Sequence, residues 1–363
     1  MRYKKFFALL LALALVCGSL SGCVAGQTAA PAEPAVSFTD SLGRTVDIPE
    51  TLTRVAPSGA VASMFLATIA PEYMTTINAT PSSSQYKYLD PRLIDLPTTG
   101  QMYGSKSTLN LESILTSGVQ VVIDLGDKKD NMAADLDALQ RQIGMPVIFI
   151  EADLPHMAEA YRTLGKILSG KEARGEELAA FVEETVSMAE ENAANIQDSE
   201  RISVLYTSGS SGLNTNAKGS IQAQVLDLMG IENAAVVEDV SNKGGGNPIN
   251  LEQLYRFDPD VILFAAGSIY QTAAGDEAWQ PLRAIQTGRY YEVPSMPYNW
   301  LSGPPSLNML LGVWWLGNLL YPQYYDYDMV EKTQEMFRLF WAYDLSADEA
   351  RAMLANSTLK DAS

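Results

Sequence analysis

The sequence predicts an α/β protein of two similar halves with mainly parallel sheets. Three observations predict it. Short apolar, β-branched runs alternate with helical patterns, one short motif occurs once in each half, and a long helical stretch lies between the halves. The length of 363 residues fits about two domains at roughly 150 residues each. An apolar share of 47% against 19% charged excludes a disordered chain. The 43 acidic and 25 basic residues leave a net charge of −18, which repels phosphates and excludes a general nucleic-acid binder. The chain has one histidine, His156, and two cysteines, Cys17 and Cys23. That excludes zinc sites built from four cysteines, from two cysteines with two histidines, or from three histidines, and it excludes a disulfide framework.

The first element is a secretory signal. Arg2, Lys4 and Lys5 precede an unbroken apolar run from Phe6 to Val16, and the small residues Gly18, Ser19, Ser21 and Gly22 follow. The run is too short to span a bilayer. Leu20-Ser21-Gly22-Cys23 resembles a bacterial lipoprotein box, which implies cleavage after residue 22 and a lipid on Cys23. An ordinary cleaved signal with a stray cysteine is the alternative. Cleavage removes three basic residues, Arg2, Lys4 and Lys5, so the charge moves from −18 to −21 and no free thiol remains. Residues 23–36, rich in Ala and Pro, read as a flexible tether. The expected location is extracytoplasmic, lipid-anchored to the cell membrane.

The folded elements come next in order. Candidate strands are Arg54-Val55-Ala56, Val119 to Leu125, Pro146 to Ile150, Ile202 to Thr207 and Val261 to Ala265, each apolar enough to be buried on both faces. Asn131 to Ile143 and Ile221 to Met229 carry helical patterns. Asn110-Leu111-Glu112 leads into the strand at Val121, and Asn250-Leu251-Glu252 leads into the strand at Val261 with the same spacing. In each copy the Asn caps a helix and the Glu sits in its positive first turn. Helical patterning from Met157 to Ser169 continues from Lys171 to Ile196, with Leu178, Phe181, Val182, Val186 and Ala189 on one face and a solvated run of glutamates on the other. The expected division is residues 37–155 for the first lobe, 156–198 for a connecting helix and 199–363 for the second lobe with a helical tail.

With these motifs in place the chain resembles the substrate-binding lipoproteins of ABC importers for iron–siderophores, haem and cobalamin. Asp40-Ser41-Leu42-Gly43-Arg44 with Val46-Asp47-Ile48-Pro49 is similar to that family's opening hairpin. Leu109 to Glu112 and Ile249 to Leu254 match its two lobe motifs, and Phe257 to Ile262 matches its strand entry. The resemblance implies two Rossmann-like lobes joined by a single long α-helix, no enzymatic activity and no cofactor. It implies a monomer that works with a permease dimer and its ATPase. It also implies that Glu112 and Glu252 dock onto the permease. The chain departs from many relatives in two places: Pro57 to Met64 lacks an acidic residue found there, and Ser117 to Gln120 stands where a "PDLV" segment is common.

In open α/β sheets the ligand crevice lies beyond the carboxyl ends of the strands. That rule selects Ser58, Gly59, Asp127 and Lys128 in the first lobe and Asn216 and Tyr270 in the second. By resemblance, the loops holding Tyr103 with Lys106, and Tyr298 with Trp300, join them. The aromatic residues are expected to stack on a planar or macrocyclic ligand and the lysines to pair with an anionic chelate. Local packing and ordinary surface exposure are the competing readings. His156, just before Met157, reads as a capping or solvent-exposed side chain rather than a haem ligand, and no metal site is assigned. Trp314 and Trp315 read as core. The expected cargo is a metal chelate or corrinoid, ferric siderophore first, with cobalamin, haem or a molybdate-type oxyanion behind it. The rival functions are an exported hydrolase, disfavoured because no G-x-S-x-G pattern occurs and one histidine must serve any triad, and a lipid-anchored adhesion protein.

Overall fold

The computed structural model describes residues 34–103, 108–301 and 303–359, so Cys23 and Lys106 lie outside the described residues. The first lobe opens on an antiparallel hairpin, β1 (Ala35–Thr39) and β2 (Thr45–Pro49). Ala35 and Val36 pair with Pro49 and Ile48, so the last two residues expected in the tether belong to a strand. The turn explains the motif at Asp40–Arg44. Gly43 takes φ +78°, a left-handed conformation that suits glycine. Buried Asp40 accepts from the N–H groups of Leu42, Arg44 and Phe149 and pairs with Arg44 at 2.7 Å. Arg44 also donates to the Val147 carbonyl (2.7 Å) and pairs with Asp137 (2.8 Å), which clamps the hairpin to the sheet.

The sheet of this lobe is parallel, in the order β3 (Val55–Pro57), β4 and β5. Helix α1 (Ala60–Ile69) follows β3, and α2 (Leu111–Thr116) leads into β4 (Val121–Gly126). Helix α3 (Met132–Ile143) precedes β5 (Val147–Glu151). All six residues of β4 are buried, as expected of a central strand covered on both faces.

The stretch 156–198 is not one helix. Helix α4 (Met157–Ile167) ends, the chain turns through Gly170 at φ +72°, and α5 (Glu172–Asn195) begins. The two helices pack closely because Gly165 and Gly175 meet. A Cβ on Gly175 would come within 2.6 Å of the Tyr161 carbonyl oxygen and 2.8 Å of the Gly165 Cα. Helix α4 therefore belongs to the first lobe, and α5 alone, 24 residues long, makes the connection. Midway along it Thr185 accepts from the Trp314 indole (2.9 Å), and near its end Asn192 donates to the Tyr324 carbonyl (3.1 Å).

The second lobe carries β6 (Ser203–Thr207), a short β7 (Asn214–Thr215), α6 (Gln224–Leu228), β8 (Glu232–Asn233), a short β9 (Asn247–Pro248), α7 (Leu251–Phe257), β10 (Val261–Phe264), α8 (Arg283–Gln286) and β11 (Tyr290–Glu292). Its main sheet is parallel in the order β11-β10-β6-β8, and β7 pairs antiparallel with β9. Helix α9 (Asn308–Leu320) is buried nearly all round, with Trp314 and Trp315 in the core. Helices α10 (Met329–Trp341) and α11 (Ala347–Leu354) form the tail. No helix among the described residues is long and apolar enough to cross a membrane.

Candidate functional site

The site is built where the parallel strands of the first lobe end. Ser58 extends the β3–β4 ladder by donating its N–H to the Ile123 carbonyl (3.0 Å). Gly59 is extended, and α1 starts at the next residue. The Met102 N–H donates to the Ser58 carbonyl (2.8 Å), which brings Gln101 and Tyr103 over the strand ends. These residues, with Asp124, Asp127 and Lys129, form one wall of a cavity of about 360 Å³. The facing wall comes from the second lobe: Ile221, Gln222, Asn242, Gly244 and the Gly303-Pro304-Pro305 segment. Ile221 N–H donates to Asn242 Oδ1 (2.9 Å) and Gln222 Nε2 to the Asn242 carbonyl (3.1 Å), so one loop and one turn are held together there.

Buried polar groups mark this cavity. Asp124 is 4% exposed, and its Oδ1 accepts a short hydrogen bond from the Ser58 hydroxyl. Its Oδ2 is buried without a hydrogen-bond partner, as are the Tyr103 hydroxyl and Gln222 Oε1. Burial pushes the Asp124 carboxyl up to about 6, against the opposing pull of the Ser58 hydrogen bond and of Lys129 and Arg44. Burial, and then the charge of Asp124, pushes the Tyr103 hydroxyl well above its ordinary range. Asp127 is also raised, by burial first and by Asp153 second. Lys129 donates to the Asp127 carbonyl (3.1 Å) and lies 4.8 Å from the Tyr103 ring centroid. Gln224 ties the lobes beside the cavity, donating to Asp127 Oδ1 (3.3 Å) and accepting from the Leu154 N–H (3.2 Å).

Of the residues expected at the ligand, Ser58, Gly59, Tyr103 and Asp127 line this cavity. Trp300 does not. It is fully buried, its indole N–H donates to the Met296 carbonyl (2.9 Å), and its own carbonyl lies against Gly312 of helix α9. Tyr298 lines a smaller adjoining pocket of about 180 Å³ that shares Ala60 and Pro304 with the main one, and burial pushes its hydroxyl up to about 12. Tyr270 packs against Phe264 and Tyr290 at 6.3 and 5.7 Å rather than reaching the cavity. Asn216 is buried behind the short β7–β9 pair, where its carbonyl accepts from Asn233 (2.9 Å). Lys128 pairs with Glu151 at 2.6 Å. The strand-end loops of the second lobe thus fold onto their own sheet, and the residues around 222, 242 and 304 take their place in the wall.

His156 is exposed and contacts Asp153, and it stands at the cap position of α4. Glu151, Asp153 and His156 bring one ligand atom each within 4.8 Å of one another. Asp124, Lys129, Gln101 and Gln222 also line the cavity and are not singled out by the sequence motifs. The available signal was an aspartate standing inside the apolar run Val121-Val122-Ile123-Asp124-Leu125, next to a strand end.

The family model described as periplasmic binding protein matches residues 56–297. The chain belongs to the periplasmic binding protein family. Within this family the proteins serve ABC importers and lie outside the cytoplasm. Solved structures agree. An ABC transporter solute-binding protein from Sulfurospirillum deleyianum is 26% identical, with a TM-score of 0.80 over 88% of this chain and 99% of that one. A periplasmic solute-binding protein from Veillonella parvula is 22% identical, with a TM-score of 0.73 over 89% of this chain and 98% of that one. The molybdate periplasmic binding protein MolA of Haemophilus influenzae, solved with molybdate bound, is 18% identical, with a TM-score of 0.69 over 86% of this chain and 99% of that one. No curated protein matches the chain significantly. This binding protein thus has the two-lobed α/β architecture of solute-binding proteins from several bacteria.

Proposed function

We propose that this binding protein captures a metal chelate in the cavity between its lobes and delivers it to an ABC importer permease. The observation that carries the reading is the cavity itself: both lobes build it, it lies at the carboxyl ends of the first lobe's parallel strands, and buried polar side chains line it. A ferric siderophore ranks first on the family resemblance, ahead of cobalamin and haem. The protein acts as a monomer without enzymatic activity, and Glu112 and Glu252 dock onto the permease. A lipid on Cys23 holds it at the membrane through the tether. Labelled palmitate should enter the wild-type protein in cells and not the Cys23→Ser variant, and equal labelling of the two would remove the anchor. The chelate reading is tested by a thermal-shift panel of ferric siderophores, cobalamin, haem and molybdate. A ligand that binds only the native state raises the transition as its concentration passes its Kd. A panel in which no chelate moves the transition would reject the reading.

A further inference from the structure

The cavity's three unpartnered polar groups are unevenly distributed in chemistry. Asp124 Oδ2 on the first lobe and Gln222 Oε1 on the second are acceptors, and Tyr103 contributes one hydroxyl. Asp124 and Gln222 are 4% and 7% exposed. Gln222 has its amide N–H committed to the Asn242 carbonyl, which leaves its oxygen toward other partners. Asp124 has one oxygen committed to Ser58. A buried acceptor left unpaired costs about 1–3 kcal/mol, more when charged. Both atoms are buried on residues that line the cavity, so a group entering the cavity reaches them once their neighbours shift.

Charge points the same way. Two aspartates, Asp124 and Asp127, face one cationic side chain, Lys129, among the described residues lining the cavity, and the second lobe adds only uncharged ones. The N-terminal end of α1 offsets about half a charge. A multiply charged oxyanion has only acceptor atoms, so it would meet the Gln222 amide oxygen and the carboxylates of Asp124 and Asp127 and leave both orphan acceptors unpaired.

We infer that the cavity takes a ligand bearing N–H or O–H donors on two sides, one for Asp124 Oδ2 and one for Gln222 Oε1, and that it is not built for an acceptor-only oxyanion. This rests on the proposal that the inter-lobe cavity is the ligand site. It narrows that cargo to a neutral or cationic chelate whose organic scaffold carries amide, amine or hydroxyl groups. The ligand thereby bridges the lobes through one hydrogen bond to each.

Titration calorimetry on the full folded chain tests it with four probes: ferrioxamine B, a ferric trihydroxamate with a pendant ammonium; ferrichrome; cyanocobalamin; and sodium molybdate. At least one of the first three should bind more tightly than molybdate. For that probe, Asp124→Asn and Gln222→Met should each weaken binding at least about fivefold, with the double variant at least about 25-fold weaker. Any residual molybdate binding should tighten in Asp124→Asn, which lifts a like charge. Gly59 is extended, so Gly59→Trp keeps the backbone and fills the cavity; circular dichroism checks that each variant folds. Binding lost in Gly59→Trp yet indifferent to Asp124→Asn and Gln222→Met overturns this inference alone. Binding that survives Gly59→Trp overturns the cavity as the ligand site and this inference with it. Molybdate as the tightest probe, or none of the three donor-bearing probes binding at 1 mM, overturns the donor assignment.

Discussion

Asp40 and Asp124 are both buried aspartates, and their surroundings give them different roles. Asp40 is met by the Arg44 guanidinium and three backbone N–H groups, so it works as a clamp for the opening hairpin. The hairpin was expected from its resemblance to the family's opening motif, but the clamp itself shows only in the fold, where Asp40 meets Phe149 of a distant strand. Asp124 has the Ser58 hydroxyl on one oxygen and nothing on the other. The apolar run around it marks Asp124 as unusual but not its partners, since Ser58, Tyr103 and Gln222 come to it from distant segments. Its carboxyl is pushed by burial from the ordinary 3.8 up to about 6, opposed by Ser58, Lys129 and Arg44. The folded state therefore holds a proton that the unfolded chain has released. Stability from this group is greatest below about pH 4 and falls as the pH rises toward 6, by about 3 kcal/mol in order of magnitude. Asp124→Asn removes that loss. Urea unfolding should find the variant up to about 3 kcal/mol more stable than wild type at pH 7.5, with the difference shrinking toward pH 4. A variant less stable at pH 7.5 than at pH 4, relative to wild type, contradicts the assignment.

Among the elements, the parallel strands and the repeat were readable because each strand is a short apolar run and each repeat helix carries its own cap. Asn110 accepts from the Ser113 N–H and Asn250 from the Gln253 N–H, the latter in a reciprocal capping box. The break between α4 and α5 falls at Gly170, between the two helical patterns, and taking them as one connecting helix passes over that glycine; the close Gly165–Gly175 packing of the two helices is a tertiary outcome. In the second lobe the expected Asn216 and Tyr270 do not line the cavity, for a similar reason. A strand-end rule selects loops, whereas the packing of Tyr270 back onto Phe264 and Tyr290 is a tertiary outcome. The proposed permease docking falls on the two short helices α2 and α7. Glu112 and Glu252 are exposed on their first turns, and beside them stand exposed apolar residues: Leu115 on α2, Leu251 and Tyr255 on α7. Glu252 pairs with Arg256 at 2.8 Å on the surface, a contact worth about 0–1 kcal/mol and so readily exchanged for a partner's arginine. Charge complementarity of this kind sets orientation and encounter rate. Reversing both, Glu112→Lys with Glu252→Lys, should abolish uptake in cells expressing the importer while ligand affinity by calorimetry stays within about twofold, as expected for distant surface sites. Weakened ligand binding in the double variant would place these residues in the ligand's own site instead.

The whole molecule is tied on the side of the tail as well as through α5. Arg174, on α5, donates to the Thr68 carbonyl of α1 (3.0 Å) and to the Leu339 carbonyl of α10, so connector, first lobe and tail meet at one side chain. Lys87 pairs with Glu349 of α11, and Tyr88 packs edge-on against Phe337 and Tyr343 at 5.3 and 5.2 Å. Gln85 reaches the Pro297 carbonyl of the second lobe (2.8 Å). The segment 82–90 of the first lobe is thus latched to helices of the C-terminal tail, which the sequence shows only as apolar helical patterns without a docking address. A hinge made of one continuous helix and braced by such a latch resists the large rotations available to flexible multi-strand hinges. Small-angle scattering should therefore find a radius of gyration of about 20 Å that changes by less than about 0.5 Å when a ligand identified by thermal shift is added. Lys87→Ala with Tyr88→Ala removes one ion pair and both ring contacts, so the double variant should compact more on binding than wild type. Ligand-driven compaction well beyond that limit in the wild-type protein would show that the latch opens during closure and that the connector does not set the range of motion.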